Sequence, residues 1–245
     1  MGTEKAEEKY KVTEAFQAGG KLCLVLGAAG NAGGHFALGM PAACGCDAVL
    51  ADLSAWQKEM DEVVRDIGTA DLPVRIAVEM IGEADLADRE GLYEKLEAKY
   101  GSFACILDVY GINTARTFPG SAAIVQKPVR GPEDMKPRYQ IGPHMLFPGK
   151  TVLVLGAGGL WGSHMAAGMA AAQADLILVD TKDRKGAVDE LQKTIMEMTR
   201  GSADIRVTYV PSDLIDDRAG LLSHIADLYG QADAVLDVRA INPAP

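Results

Sequence analysis

The sequence predicts an α/β protein made of two tandem, parallel βαβ half-domains. Three observations predict it. The chain of 245 residues repeats itself at an offset of about 129 positions. Short β-branched apolar runs alternate with segments of helical period, the pattern of a parallel sheet with helices on both faces. A glycine-rich turn follows the first apolar run of each repeat.

The repeat holds its register over many elements. KLCLVLG at 21–27 is echoed by KTVLVLG at 150–156, HFALGM at 35–40 by HMAAGM at 164–169, and DAVLAD at 47–52 by DLILVD at 175–180. Later matches are Arg89-x-Gly-Leu92 with Arg218-x-Gly-Leu221, Tyr100-Gly101 with Tyr229-Gly230, Leu107-Asp-Val109 with Leu236-Asp-Val238, and Ile112-Asn113 with Ile241-Asn242. Each copy reads in the same order. An apolar strand and glycine turn lead into a small-residue helix, then a second strand ending in Asp52 or Asp180. Amphipathic helices are expected over 55–67 and 185–198, and third strands over 74–78 and 205–210. Helices over 89–99 and 218–229 lead to fourth strands over 104–109 and 234–238. A strand order of 3-2-1-4 is expected in each copy, with the copies fused edge to edge or packed back to back.

These patterns divide the chain into an N-terminal extension (1–19), a first unit (20–115), a connector (116–148) and a second unit (149–245). The connector holds six of the eleven prolines, and five basic residues against two acidic ones. That composition suits a surface linker or an arm reaching a neighbouring subunit.

Composition excludes several classes. The net charge of −10 disfavours nucleic acid, which requires a basic face. No run approaches the ~20 apolar residues of a membrane helix. The opening MGTEKAEEKYK lacks the apolar core of a signal peptide, and Ala6 breaks the myristoylation pattern. Cys23 and Cys105 sit in core-like strands, and Cys44-Gly-Cys46 has neither zinc nor thioredoxin spacing. A reduced, cytoplasmic protein without metal is expected.

The chemistry-bearing motifs are the two turns Gly27-x-x-Gly30-x-x-Gly33 and Gly156-x-x-Gly159-x-x-Gly162, each between a strand and a helix. In a Rossmann-like unit the first glycine makes the tight turn, the second admits a pyrophosphate to the backbone, and the third lets helix and strand pack. The helix N-terminus offers free N–H groups to the phosphates. Asp52 and Asp180 lie roughly 25 residues past the first glycine, where a carboxylate accepts from ribose hydroxyls and favours NAD over NADP. His35 and His164 are expected to be polar residues near the loops rather than a metal pair, and Trp161 to pack on the sheet.

The loop GAGGLWGSHMAAG resembles the opening of the extended branch of the short-chain dehydrogenase/reductase family. Ala84-Asp85-Leu86 and Ser212-Asp213-Leu214 are similar to the Asp-hydrophobic pair that holds adenine in that family. The resemblance implies NAD as cofactor, with Gly27, Gly30, Gly33, Asp52, Asp85 and Leu86 lining one site. Gly156, Gly159, Gly162, Asp180, Asp213 and Leu214 would line the other. It covers the family's first four strands, twice.

The departures concern catalysis. The family's Tyr-x-x-x-Lys dyad, in which Lys lowers the Tyr pKa for proton exchange with substrate, occurs at none of the seven tyrosines. Where the family has small residues after the fourth strand, this chain has Asp108-Val-Tyr110 and Asp237-Val-Arg239. The expectation is a catalytically degenerate subunit, forming a homo- or hetero-oligomer with an active dehydrogenase. The family includes heteromeric enzymes with one inactive subunit, the hydroxyacyl-CoA type among them. Two alternatives stay open. One is an NAD-dependent oxidoreductase with unconventional catalytic residues, recruiting Ser121, Lys127, Arg130 or His144 of the connector. The other is a dinucleotide-sensing module.

Overall fold

The computed structural model describes residues 16–68, 74–113 and 146–242. In the first half, β1 (Leu22–Leu26), α1 (Asn31–Cys44), β2 (Asp47–Leu53), α2 (Gln57–Gly68), β3 (Ile76–Ile81), the short α3 (Glu83–Ala87), α4 (Arg89–Tyr100) and β4 (Cys105–Asp108) follow one another. The second half runs β5 (Thr151–Leu155), α5 (Leu160–Ala171), β6 (Asp175–Thr181), α6 (Lys185–Thr199), β7 (Ile205–Val210), α7 (Ser212–Asp216), α8 (Arg218–Tyr229) and β8 (Ala234–Asp237). All eight strands join one sheet in the order β3-β2-β1-β4-β8-β5-β6-β7. The chain has an α/β, Rossmann-like fold, and each half shows the 3-2-1-4 order.

The junction fixes everything else about the architecture. Within each half the strands are parallel, but β4 and β8 pair antiparallel. Ile106 faces Asp237, Leu107 faces Leu236, and Asp108 faces Val235. The register is therefore symmetric about Leu107–Leu236, as at an isologous two-fold contact. Because β4 and β8 run in opposite directions, the carboxyl ends of β1–β4 and of β5–β8 lie at opposite ends of the sheet. Of the two arrangements open from sequence, the edge-to-edge one is realised, inside a single chain.

Alternation along each strand separates two cores. Cys23, Val25, Leu50, Leu107, Val152, Val154, Leu178 and Leu236 point to one face, where residues of α1, α2, α5 and α6 close a single cluster spanning both halves. Leu24, Leu26, Val49 and Ile106 point to the other face, beneath Leu92, Tyr93 and Leu96 of α4. Leu153, Leu155, Ile177 and Val179 do the same beneath Leu221 and Ile225 of α8. Each fully buried Leu or Val contributes about 1.5–3 kcal/mol. On this second face the two clusters stay separate, and charged side chains occupy the ground between them.

Most elements fall where the period places them. The third strand is displaced: expected over 74–78, it runs Ile76–Ile81. The period-2 reading stops at Glu79, a charge inside the strand. On an edge strand that charge is accommodated, because Lys99 and the Tyr100 hydroxyl bond its carboxylate. The four cysteines are free and buried. Burial pushes the Cys44 thiol up to about 11, and Cys23 and Cys46 are also raised, chiefly through bonds within the Cys23–Cys46–Cys105 cluster. These are inert core thiols, and no metal-binding group of side chains occurs among the described residues. No helix among them is long and apolar enough to cross a membrane.

Gly111, just past β4, lies so close to Asp233 at the start of β8 that any Cβ would collide with the Asp233 carbonyl. Gly111→Ala should therefore spread the β4–β8 junction and cost about 1–3 kcal/mol. Urea unfolding should show a lower midpoint in one transition for the whole chain. An unchanged midpoint would mean that the junction is not closely packed.

Candidate functional site

The sequence-predicted residues gather in two groups, one at each end of the sheet. Gly27, Gly30, Gly33, Asp52, Asp85 and Leu86 lie at the carboxyl ends of β1, β2 and β3. Gly156, Gly159, Gly162, Asp180, Asp213 and Leu214 lie at the carboxyl ends of β5, β6 and β7. The antiparallel junction keeps the groups apart, so they form no shared site. Ser121, Lys127, Arg130 and His144 fall outside the described residues, as does nearly all of the 116–148 connector.

The first and third glycines do what the motif requires. Gly27 and Gly156 take φ of +87° and +83°, the left-handed turn that breaks strand from helix. A Cβ on Gly33 or Gly162 would collide with the carbonyl of Gly27 or Gly156, so these glycines let helix and strand touch. The second glycine has a different neighbour. A Cβ on Gly30 would overlap the side-chain amide of Asn113, and one on Gly159 that of Asn242. The space a pyrophosphate would enter holds an amide from the segment after the fourth strand.

Several backbone donors are taken as well. Asn113 Oδ1 accepts from the N–H groups of Ala32 (3.0 Å) and Gly33 (3.1 Å), and its Nδ2 donates to the Gly27 carbonyl (2.8 Å). Asn242 Oδ1 accepts from Trp161 N–H (2.9 Å), and its Nδ2 donates to the Gly156 carbonyl (3.0 Å). The amides of Gly27 and Ala28 bond the Ala51 carbonyl, and those of Gly156 and Ala157 bond the Val179 carbonyl.

The two acids are likewise turned inward. Asp52 is wholly buried. It accepts from Ala29 N–H (2.9 Å) and from its neighbour Leu53 N–H (2.8 Å). Asp180 accepts from Gly158 N–H (2.7 Å) and Thr181 N–H (2.8 Å). Both carboxylates tie the glycine turn to the second strand. Asp85 caps α3 by accepting from Gly82 N–H and pairs with Lys95, and that backbone bond, helped by Lys95, holds its carboxyl low. Leu86 and Leu214 pack at the edges of the two smaller cores. Asp213 sits in the first turn of α7.

A dinucleotide needs free N–H groups, room beside the second glycine, and a carboxylate facing the ribose. In this arrangement the residues present do not fit it. A pyrophosphate could enter only after the Asn113 or Asn242 amide had withdrawn.

The fourth-strand acids are each paired with an arginine. Asp108 is buried, and burial pushes its carboxyl above the usual range against the opposing Arg89 guanidinium. It accepts from Arg89 Nε (2.7 Å) and Tyr93 hydroxyl (2.8 Å). Burial and the adjacent Asp108 drive the Tyr93 phenol well above its ordinary value, the reverse of a phenolate primed for proton transfer. Asp237 is gripped by its neighbour Arg239 at 2.8 and 2.7 Å. Arg218, the counterpart of Arg89, reaches into the first half to Glu97 (3.1 Å) and Glu90 (3.4 Å). A cavity of 290 Å³ opens beside them, lined by Phe103, Ile106, Asp216, Arg218, Asp237 and Arg239. Trp161 is buried, as a packing residue would be, and His164 is an exposed polar residue beside its loop. His164 Nδ1 lies 2.9 Å from the Leu160 carbonyl, and Phe16 stacks edge-on against both His164 and Trp161.

The residues missed from sequence are the two asparagines. Their signal was present: Ile112-Asn113 recurs as Ile241-Asn242.

No family model and no curated protein matches the chain. Among solved structures it is similar to a short-chain type dehydrogenase/reductase from Mycobacterium marinum, at 13% identity over 94% of this chain and 98% of that one, with a TM-score of 0.31. L-sorbose reductase from Gluconobacter frateurii, solved with NADPH and L-sorbose, gives 14% identity over 93% and 88% of the two chains and a TM-score of 0.31. The NADPH-dependent 3-quinuclidinone reductase of Rhodotorula rubra gives 14% identity over 92% and 82%, with a TM-score of 0.27. The strand order itself defines the fold.

Removing Asp52 should destabilise the ligand-free protein. Asp52→Ala leaves the buried Ala29 N–H, and the half-buried Leu53 N–H, without this acceptor, at about 1–3 kcal/mol for the buried group. Thermal denaturation without any nucleotide should show the loss. An unchanged melting temperature together with weakened NAD binding would instead assign Asp52 to a ribose.

Proposed function

We propose that this chain is a catalytically inactive, dehydrogenase-like subunit that acts by assembling with an active dehydrogenase. The observation that carries the inactivity is the antiparallel β4–β8 junction. In each half, the strand edge beyond β4 or β8 is where a parallel sheet would continue toward a catalytic half. Here each of those edges is taken by the other half, so no further strand can be laid there. The junction also sets the two glycine turns at opposite ends, too far apart to act on one substrate.

The sequence supports the same reading. Hydride transfer in the family it resembles needs a proton relay beside the nicotinamide, and such general acid–base help is worth roughly 10²–10⁴-fold. Tyr-x-x-x-Lys is absent, and the buried Tyr93 is held protonated. Within the chain β8 covers the edge of β4. The case for assembly rests on the family the chain resembles, which includes heteromeric enzymes, the hydroxyacyl-CoA type being the precedent, and on the basic, proline-rich composition of the connector. NAD-dependent turnover is the competing reading, favoured by the strand–turn–helix geometry of both loops.

The purified lone chain is expected to show no NAD-dependent turnover of simple alcohols or hydroxyacyl-CoA compounds. Native mass spectrometry of the complex from its source should show a second, dehydrogenase-type chain. Robust turnover by the lone chain, or a stable monomer at high concentration, would sink the subunit reading.

A further inference from the structure

We infer that Asn113 and Asn242 are built-in occupants of the two phosphate seats, so that the intact chain takes no dinucleotide at either glycine-rich loop. This inference stands apart from the subunit reading, since an inactive subunit can still hold NAD as a structural group.

The chemistry of each seat matches an amide better than a phosphate. The first turn of a helix presents N–H groups with nothing to accept from them, and these favour an acceptor oxygen. A pyrophosphate can supply that oxygen, and so can an amide Oδ1. But each seat also contains a carbonyl, Gly27 or Gly156, aimed at the same place. That carbonyl already accepts from Gly30 or Gly159 N–H, and the Asn Nδ2 is its second donor. Pyrophosphate has no donor and would set its oxygens against that carbonyl, whereas an amide offers Oδ1 and Nδ2 together. One planar group thus satisfies both the helix terminus and the turn. The steric evidence is independent of the hydrogen bonds. The absent side chains of Gly30 and Gly159 leave room that is filled by the Asn113 and Asn242 amides at both ends of the molecule. The same solution at two places 129 positions apart makes a chance side-chain placement a poor explanation.

The remaining pieces fit the same picture. Asp52 and Asp180 spend their oxygens on the turn and the second strand, with Asp52 wholly buried and Asp180 nearly so. The glycine motif has kept its turn and its close helix–strand contact, and its ligand function has passed to the chain itself.

The test is amide hydrogen exchange on the full chain, read at Ala32, Gly33 and Trp161, together with calorimetric titration by NAD. These N–H groups lie in first helical turns, where amides normally lack a partner and exchange fast. The inference expects them to be slow in the unmodified protein, and expects no NAD binding at millimolar concentration. Asn242→Ala should speed exchange at Trp161 by about tenfold or more, the loss of one acceptor, and Asn113→Ala should do so at Ala32 and Gly33. Asn242→Asp, which keeps the acceptor oxygen, should retain the protection at Trp161, and it serves if the alanine variants fail to fold. Fast exchange at these amides in the unmodified chain overturns the inference. So does protection that survives Asn242→Ala, or NAD binding by the unmodified chain that Gly159→Val or Gly30→Val abolishes.

Discussion

The pairing of β4 with β8, centred on Leu107 and Leu236, is the constraint on which the rest of this molecule depends. A parallel unit of four strands leaves the outer edge of its fourth strand with unpaired N–H and C=O groups, a liability in water. Two such units can cover each other only by meeting at those edges. Meeting antiparallel makes the contact self-complementary. Its consequence is global: whatever each half builds at its carboxyl ends is carried to opposite ends of the sheet. A fold whose ligands gather at the carboxyl ends of its strands has here been arranged so that two such ends cannot cooperate.

The same junction explains why one face has a single core and the other has two. On the face beneath α1, α2, α5 and α6, Cys105 and Leu107 of β4 and Ala234 and Leu236 of β8 merge the halves into one apolar layer. On the opposite face α4 and α8 stand over their own halves, and the strip between them is bridged by charge. Arg218 crosses to Glu90 and Glu97 and also lies over the Tyr93 ring, 5.1 Å from its centroid. With side-chain exposures of 18–28%, these groups are partly screened, so the bridge fixes register more than it adds stability.

Much of this was legible in the sequence. The strand and helix alternation, the order within each half and the two glycine turns follow from period and repeat, because burial on a fixed face leaves a local signature. The direction in which the halves meet left none. Parallel and antiparallel junctions ask the same of Leu107 and Leu236, namely an apolar side chain on a short strand. The candidate site was legible in position, but the asparagine beside each turn was not. A glycine that admits a pyrophosphate and one that admits an asparagine are the same letter. Only the distant Asn113, 83 positions after Gly30, distinguishes them, and the Ile-Asn repeat carried no chemical meaning until the fold brought it back to the turn.

The arginines show how far a repeat can be trusted. Arg89 and Arg218 occupy equivalent positions, each following an aspartate that caps its helix by accepting from Gly91 or Gly220. From sequence they should do the same work. Arg89 pairs with Asp108 in its own half, where Tyr93 completes the carboxylate's partners. In the second half Leu222 stands at the position matching Tyr93 and offers no hydroxyl, while Arg239 stands where the first half has Tyr110. Arg239 takes Asp237 with both nitrogens, which frees Arg218 to turn across the junction. Two substitutions inside one copy thus convert an internal ion pair into a bridge between the halves. Backbone geometry is alike in the two halves because it is set by hydrophobic period. Ionic partnership differs because a long, flexible guanidinium goes wherever an unpaired carboxylate is left, and here the charge that decides it lies in the other half.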